Sequence, residues 1–462
     1  MRQINFALAL FAAAALAACG GNGSSSGDQS PKVKYSAQVT FGDSLSDVGS
    51  YAVGPILAAG GGKFTINGDN TAINPTLTGK NWTELMSKQI GVAAPCAAVT
   101  GLEGTTPGFA QPITPHAGCF GYAMRGSRVT NPVGPHNKAI EPTFGALTYP
   151  VTTQVANHLA LNGGKFKGDE LVLMFAGGND ALGLLGQLTV DATAAGTAAG
   201  TAAGQTAFGT SLTIQLAAGA TNPAAASQAI GLAIQTEAAR PGHTDASVVG
   251  AAVAAAVQQG NVAAGNPAVY GPMVTKAQTE ALAAGNAAGA KAGADYVAAN
   301  APKLVVAMAT AGTELAALAK TQVVAKGANY VVLNNLPDVS VTPSGLAQDA
   351  STRALIKSMV TAFNDALKAG AAGEAKILYV DLYASGQDFL KNPDAYGITN
   401  QTTTACTTNF LGSITALGYT KNSLATGDIS NYLYADDVHQ TPFGYSLIAR
   451  LVSEQMIIKG WL

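Results

Sequence analysis

Short apolar runs of buried-strand length alternate with segments of helical periodicity along this chain, which predicts an α/β fold: a parallel sheet flanked by helices on both faces. A second observation points the same way, since the runs end on polar or glycine-rich turns where a strand would hand over to a helix. The first run, Tyr35 to Phe41 (YSAQVTF), stops at Gly42-Asp43-Ser44, and residues 45–57 read as helix or loop. Trp82, Leu85, Met86 and Ile90 stand at helical spacing, with Gly91 placed as a C-cap. Residues 92–148 hold many Pro and Gly and are expected to be mostly loop. A helix over 154–161 leads to the strand 170–176 (ELVLMFA), which ends at Gly177-Gly178-Asn179-Asp180. The pattern then predicts a helix over 302–325, a strand over 328–334, a helix over 351–367, a strand over 377–382 and a final helix over 442–456. In such sheets ligands gather at the carboxyl ends of strands, where Ser44 and Asn179 both fall.

Between about 182 and 300 this rhythm breaks into Ala, Gly and Thr, including Thr193-Ala194-Ala195-Gly196 repeated through Gly204. A period of four lays glycines along one helix stripe and permits close helix packing. Glycine also costs about 1 kcal/mol per helix position against alanine, so a mobile low-complexity loop is the equal alternative. Residues 246–257, the most apolar piece, are too short to cross a membrane and fit a small packed helix. The whole segment reads as an insertion, helical or flexible, into one domain spanning 35–462.

Only 11% of the 462 residues are charged, against roughly 25% in an ordinary soluble domain, while 48% are hydrophobic and 6% aromatic. Small apolar residues therefore dominate. A net charge of −2 with no basic tract argues against nucleic-acid binding and against a charge-rich disordered chain. Residues 1–18 carry Arg2 and then an uncharged apolar run, the layout of a secretory signal. Its end, Leu16-Ala17-Ala18-Cys19, resembles the lipobox of bacterial lipoproteins; that resemblance implies acylation of Cys19, and Gly20 in place of Asp implies the outer membrane. Residues 19–34 are then a Gly/Ser-rich tether. Gly23-Ser24-Ser25-Ser26-Gly27 matches the nucleophile-elbow pattern formally but lacks the flanking strand and helix. In an oxidising compartment one disulfide is expected. Cys96 with Cys119 closes the shortest loop and is the preferred pair, with Cys406 an alternative partner for either. No CxxC or HExxH motif supports a metal site.

Among five histidines, His116 and His136 lie in Pro-rich loops and His158 on a helix pattern, each read as an ordinary surface or packing residue; His243 reads as a capping residue. His439 differs, because Asp436 precedes it by three residues and can hold Nδ1 so that Nε2 faces a nucleophile. Ser44, on a tight turn after a strand, can expose its hydroxyl and direct its own N–H forward.

With these blocks assembled, the chain resembles the SGNH hydrolases, also called GDSL lipases/esterases, over most of residues 36–462. The blocks are Gly42-Asp43-Ser44-Leu45-Ser46-Asp47, Gly121-Tyr122-Ala123-Met124-Arg125-Gly126-Ser127, Gly177-Gly178-Asn179-Asp180 and Asp436-Asp437-Val438-His439. The resemblance implies a three-layer flavodoxin-like fold with Ser44 as nucleophile, His439 as base and Asp436 as its acid partner, Asp437 being the rival. Ser44, Gly126 and Asn179 would form the oxyanion hole. Arg125-Gly126 stands where the family often has two glycines, and Gln440 replaces a common proline. The implied activity is a serine esterase or lipase on acyl-ester or lipid substrates, needing no cofactor or metal, with membrane attachment through Cys19 and no nucleic-acid partner. A phospholipase/acyltransferase or a carbohydrate deacetylase would use the same site, and a catalytically silent surface adhesin is the rival from another class.

Overall fold

A computed structural model describes residues 32–68, 77–412 and 415–462. The signal, Cys19 and most of the tether fall outside the described residues. Along the chain come β1 (Gln38–Gly42), α1 (Trp82–Gln89), β2 (Val99–Glu103), β3 (Ala110–Pro115), α2 (Val151–Leu161), β4 (Leu171–Phe175) and α3 (Gly178–Ala217). They are followed by α4 (Pro223–Ala238), α5 (Asp245–Gln258), α6 (Pro267–Leu318), β5 (Tyr330–Asn334), α7 (Ala350–Ala371), β6 (Ile377–Val380), α8 (Leu382–Lys391), β7 (Asn400–Thr404), β8 (Tyr432–Tyr434) and α9 (Pro442–Lys459).

The central sheet is parallel in the order β1-β4-β5-β6, with Gln38 opposite Leu171 and Gly42 opposite Phe175. Its inner strands read as continuous apolar runs because both faces are covered. On one face Gln38 donates to the carbonyl of Thr83 in α1, and Trp82 lies edge-on to Phe175 at 6.3 Å. On the other, Phe41 meets Tyr122, His158 of α2 and Phe166. Beyond β1 the chain from Phe120 to Met124 runs along the free edge: Thr40 N donates to Phe120 O (2.9 Å), Tyr122 N to Thr40 O (2.8 Å) and Met124 N to Gly42 O (3.3 Å). Helix starts are chemically marked, as at α1, where the Asn81 side chain accepts from Thr83 and Glu84 while the Glu84 carboxylate accepts the Asn81 N–H.

The structure adds to or departs from the sequence expectations in four places. Residues 92–148 contain an antiparallel hairpin, β2 with β3, hidden because Gly101, Pro112 and Pro115 interrupt its alternation and β3 is largely exposed. The pair β7 and β8 is short and polar on β7, so it also lacks a strand signature. The insertion is helical throughout its long arms and has no boundary at 182 or 300: α3 starts at Gly178, and α6 runs unbroken through Pro272 and Pro302 to Leu318. Thr244, rather than His243, caps α5.

The glycine stripe makes the insertion's seam. A Cβ on Gly200 would lie 2.9 Å from the Gly285 carbonyl oxygen, and one on Gly289 would lie 2.9 Å from that of Gly196, so backbone rests on backbone. Farther out, Leu212, Leu216, Ile230, Ala252, Ala256 and Ala277 form a core of their own. The segment Pro267–Val324 is long and apolar enough by length and composition to cross a membrane; here its C-terminal part, including Met308 and Leu315, joins the sheet core.

Gly200→Val is expected to lower unfolding stability by roughly 1–3 kcal/mol, because forced separation of the helices outweighs a few tenths gained in helix propensity. Gly250→Ala, on an exposed face of α5 with nothing within 4 Å, is expected to raise it by up to about 1 kcal/mol. Urea titration of both variants reads the contrast, and an unchanged midpoint for Gly200→Val would rule out the seam.

Candidate active site

The end of β1 is pinned before the chemistry begins. A side chain on Gly42 would overlap the Phe175 carbonyl oxygen of β4, and its φ of +154° suits glycine. Gln154 of α2 clamps the same peptide, accepting from Gly42 N and donating to Gly42 O, both at 2.8 Å. The chain then turns sharply: the Asp43 carboxylate accepts the Leu45 N–H at 3.0 Å and caps the single 3₁₀ turn Ser44–Ser46. Ser44 is thereby lifted off the strand end with 8% of its surface exposed.

Opposite it, Ala435 N donates to His439 O at 2.8 Å, which closes the tight loop after β8. The Asp436 carboxylate accepts from the backbone N–H groups of Val438 (3.0 Å), His439 (2.6 Å) and Ala416 (2.7 Å), so its position is fixed independently of the imidazole. Its oxygens stand 2.7 and 2.9 Å from His439 Nδ1, and His439 Nε2 stands 2.8 Å from Ser44 Oγ. Asp436, and not the rival Asp437, holds the ring. Burial alone would raise the Asp436 carboxyl, but the adjacent His439 and the converging N–H donors hold it below the usual range. Phe64 supports the imidazole from the side, with ring centroids 5.0 Å apart.

Asn179 enters from the first turn of α3, directly after β4, where Gly177 (φ +119°) leaves the Phe363 ring no room for a side chain. One proton of its amide goes to the Ser127 carbonyl at 3.1 Å, which orients the group and leaves the other free for a ligand. Asp180, next on that turn, is tied to Arg128 Nε (3.1 Å) and Val129 N (3.0 Å).

These residues share a cavity of about 880 Å³ at the carboxyl end of the sheet. It lies between two cores: Leu45, Phe175, Leu336, Val339 and Ile448 belong to the sheet side, and Phe109, Phe144 and Leu411 to a second cluster built from the flanking loops. Ser44, Asn179, Asp436 and His439 all line it. Gly126 does not; it is buried at φ +76°, packed against Pro135 and Thr148, while its neighbour Arg125 lies in the wall. No residue from 183 to 335 contributes to the lining, so the insertion is not a lid here.

Sequence reading missed three wall residues: Arg125, His136 and Glu141. Their only signal was charge inside a Pro-rich loop, which ordinarily marks a solvated surface. His158, by contrast, is packed among Phe41, Phe120, Tyr122 and Phe166, as a packing residue should be. Cys96 and Cys119 are joined as a disulfide, and Cys406 is free and buried, its thiol pushed up to about 12 by burial and by the charge of Asp436. Among the described residues no cluster of His, Cys, Asp and Glu is arranged to hold a metal ion. A comparison with models of known protein families finds no match, and no curated protein sequence matches the chain.

Burial pushes the Asp43 carboxyl up to about 7, against the pull of the Leu45 N–H and His439. The folded chain therefore keeps a proton that the unfolded chain loses near pH 4. Stability from this group is complete below about pH 4 and is lost as pH rises to about 7. Asp43→Asn preserves the cap acceptor and removes the titration, so its stability relative to the natural chain should climb across that window in urea titrations. A pH-independent difference would show that Asp43 is ionised throughout.

Proposed function

We propose that the protein is a serine carboxylic-ester hydrolase of the SGNH/GDSL type, and the observation that carries the proposal is the unbroken chain Asp436–His439–Ser44 opening into a cavity. Asp436 holds Nδ1–H, so Nε2 is the acceptor that takes the Ser44 proton as Oγ attacks an ester carbonyl. The Ser44 N–H and the spare Asn179 amide proton are the donors for the resulting oxyanion; Gly126, the third donor the resemblance implies, stands outside the cavity lining. His439 then protonates the leaving alcohol, and a water deprotonated by His439 releases the acid from the acyl-enzyme. All the charge that moves is handled by this chain's own groups.

The sheet order supports the fold half of the proposal. With the 120–124 edge segment counted, the strands run 2-1-3-4-5, the flavodoxin-like order, and Ser44 stands at its switch point. A large, mostly apolar cavity favours a lipid acyl chain over an acetyl group, which would leave most of the volume unfilled. Deacetylation of carbohydrate is thus the weaker reading. A silent adhesin gives no reason for a buried carboxylate with three backbone donors aligned on a histidine. Attachment through acylated Cys19 would place the site near the lipid it acts on.

Ser44→Ala and His439→Ala are each expected to abolish turnover of p-nitrophenyl butyrate, and Asn179→Ala to lower kcat by about 10²-fold or more. Asp436→Asn should cost about 10⁴-fold through the wrong imidazole tautomer. A fluorophosphonate probe should label the natural chain and spare Ser44→Ala; full esterase activity in Ser44→Ala would overturn the proposal.

A further inference from the structure

Arg125 is a cation in the cavity wall that the hydrolytic mechanism leaves unused. Its guanidinium carbon lies 5.1 Å from the Phe144 ring centre and 5.6 Å from that of Phe64. Phe64 also packs on the His439 ring, so the cation and the base flank one phenyl group. Among the described residues the guanidinium makes one hydrogen bond, from Nη2 to His136 Nε2 at 2.9 Å. His136 Nδ1 is spoken for by Glu141 Oε2 at 2.6 Å, so the ring donates to Glu141 and accepts from Arg125, which is the neutral tautomer. Burial and the Arg125 charge both oppose its protonation and push it down to about 4.

Among the described residues no carboxylate lies within ion-pair distance of Arg125. The charged groups that face it are Glu141, held behind the imidazole, and Asp436 and Asp437 across the cavity, with the Tyr51 phenol nearby. Asp436 is already committed to His439 and three backbone donors. Even half-burying a guanidinium without a direct counter-ion has a cost, and its fork geometry suits a carboxylate or phosphate in two-point contact. The apolar wall of Phe175, Leu182, Leu336, Val339 and Ile448 leaves the Arg125 side for the polar half of an ester.

We propose that Arg125 is an anion subsite of this cavity, so that the favoured substrates are acyl esters whose alcohol portion carries a phosphate or carboxylate close to the ester. This inference rests on the ester-hydrolase reading. The test compares kcat/KM at low ionic strength for matched octanoyl esters: 1-octanoylglycerol against its 3-phosphate, and octanoyl glycolate against octanoyl glycolamide. The natural chain should favour the anionic member of at least one pair by about tenfold or more, the scale of a charge-assisted hydrogen bond, and the pair that responds identifies the anion. Arg125→Gln should bring that ratio near one and Arg125→Lys should keep part of it; a ratio is unaffected by any general loss of activity. A ratio near one in the natural chain, or an unchanged ratio in Arg125→Gln, overturns the subsite even if the glutamine variant folds poorly, because the first measurement needs no variant. Hydrolysis of p-nitrophenyl octanoate serves as the control: inactivity there and on all four esters overturns the ester reading and this inference with it, whereas activity with unselective ratios overturns this inference alone.

Discussion

The carbonyl oxygen of Phe175 occupies the space where a side chain at position 42 would begin, and most of the site follows from that contact. Only glycine lets β1 pair with β4 to its last residue, and only that register brings the turn carrying Ser44 beside the turn carrying Asn179. Gln154 satisfies both hydrogen-bonding groups of the Gly42 peptide, so the strand end has no incentive to fray toward solvent. The position of Ser44 is thus set by backbone packing between neighbouring strands, a stiffer constraint than any rotamer.

The electrostatics build on that rigidity. Three aspartates lie within the same buried region, and their environments separate them. Asp43 and Asp47 are raised by burial, Asp43 against the Leu45 N–H and His439 and Asp47 despite the Ser50 hydroxyl and N–H. Asp436 has equal burial but meets a histidine and three backbone N–H groups, and it alone is shifted downward. The carboxylate that holds an imidazole is therefore the one that this ring keeps in the charged form, while the carboxyl that shapes the Ser44 turn tolerates a proton. Desolvation and hydrogen-bond donors are common to all three, so the imidazole of His439 placed directly against Asp436 decides the outcome.

What could be read from the chain follows the range of the interactions involved. Strand runs such as 171–175 and 330–334 are apolar because of their immediate surroundings, and Asp436 finds His439 within one turn; local pattern suffices for both. Ser44 and Asn179 were legible for a related reason, since each directly follows a strand. Gly126 fell to a different kind of information: whether its N–H or the Arg125 side chain faces the cavity depends on Pro135 and Thr148, which pack on it from distant loops. The same holds for His136 and Glu141, whose meeting with Arg125 depends on the path of an irregular loop. The hairpin of β2 and β3 was invisible because an exposed, proline-bearing strand carries no alternation to detect.

The insertion shows how a composition that looks deficient can be structural. Alanine and glycine bury little area per residue, so two helices made of them gain little from side-chain packing alone. What they gain instead is proximity, with carbonyl oxygens 2.8–2.9 Å from where Cβ atoms would be at Gly196, Gly200, Gly285 and Gly289. Both arms enter the sheet core at their inner ends, through Ala181 and Leu188 on one and Met308 and Leu315 on the other, and the tip has its own apolar cluster. The arm is anchored at both ends and zipped between, which accounts for ordered helix where isolated propensity would predict mobility. Because the first turn of α3 also holds Asn179, this cavity residue is fixed to one of the two long helices of the arm, while no residue from 183 to 335 lines the cavity. The small-residue excess therefore stabilises a support behind the site, and the shape of the cavity on its far side is left to the loops around Phe109, Arg125, Phe144 and Leu411.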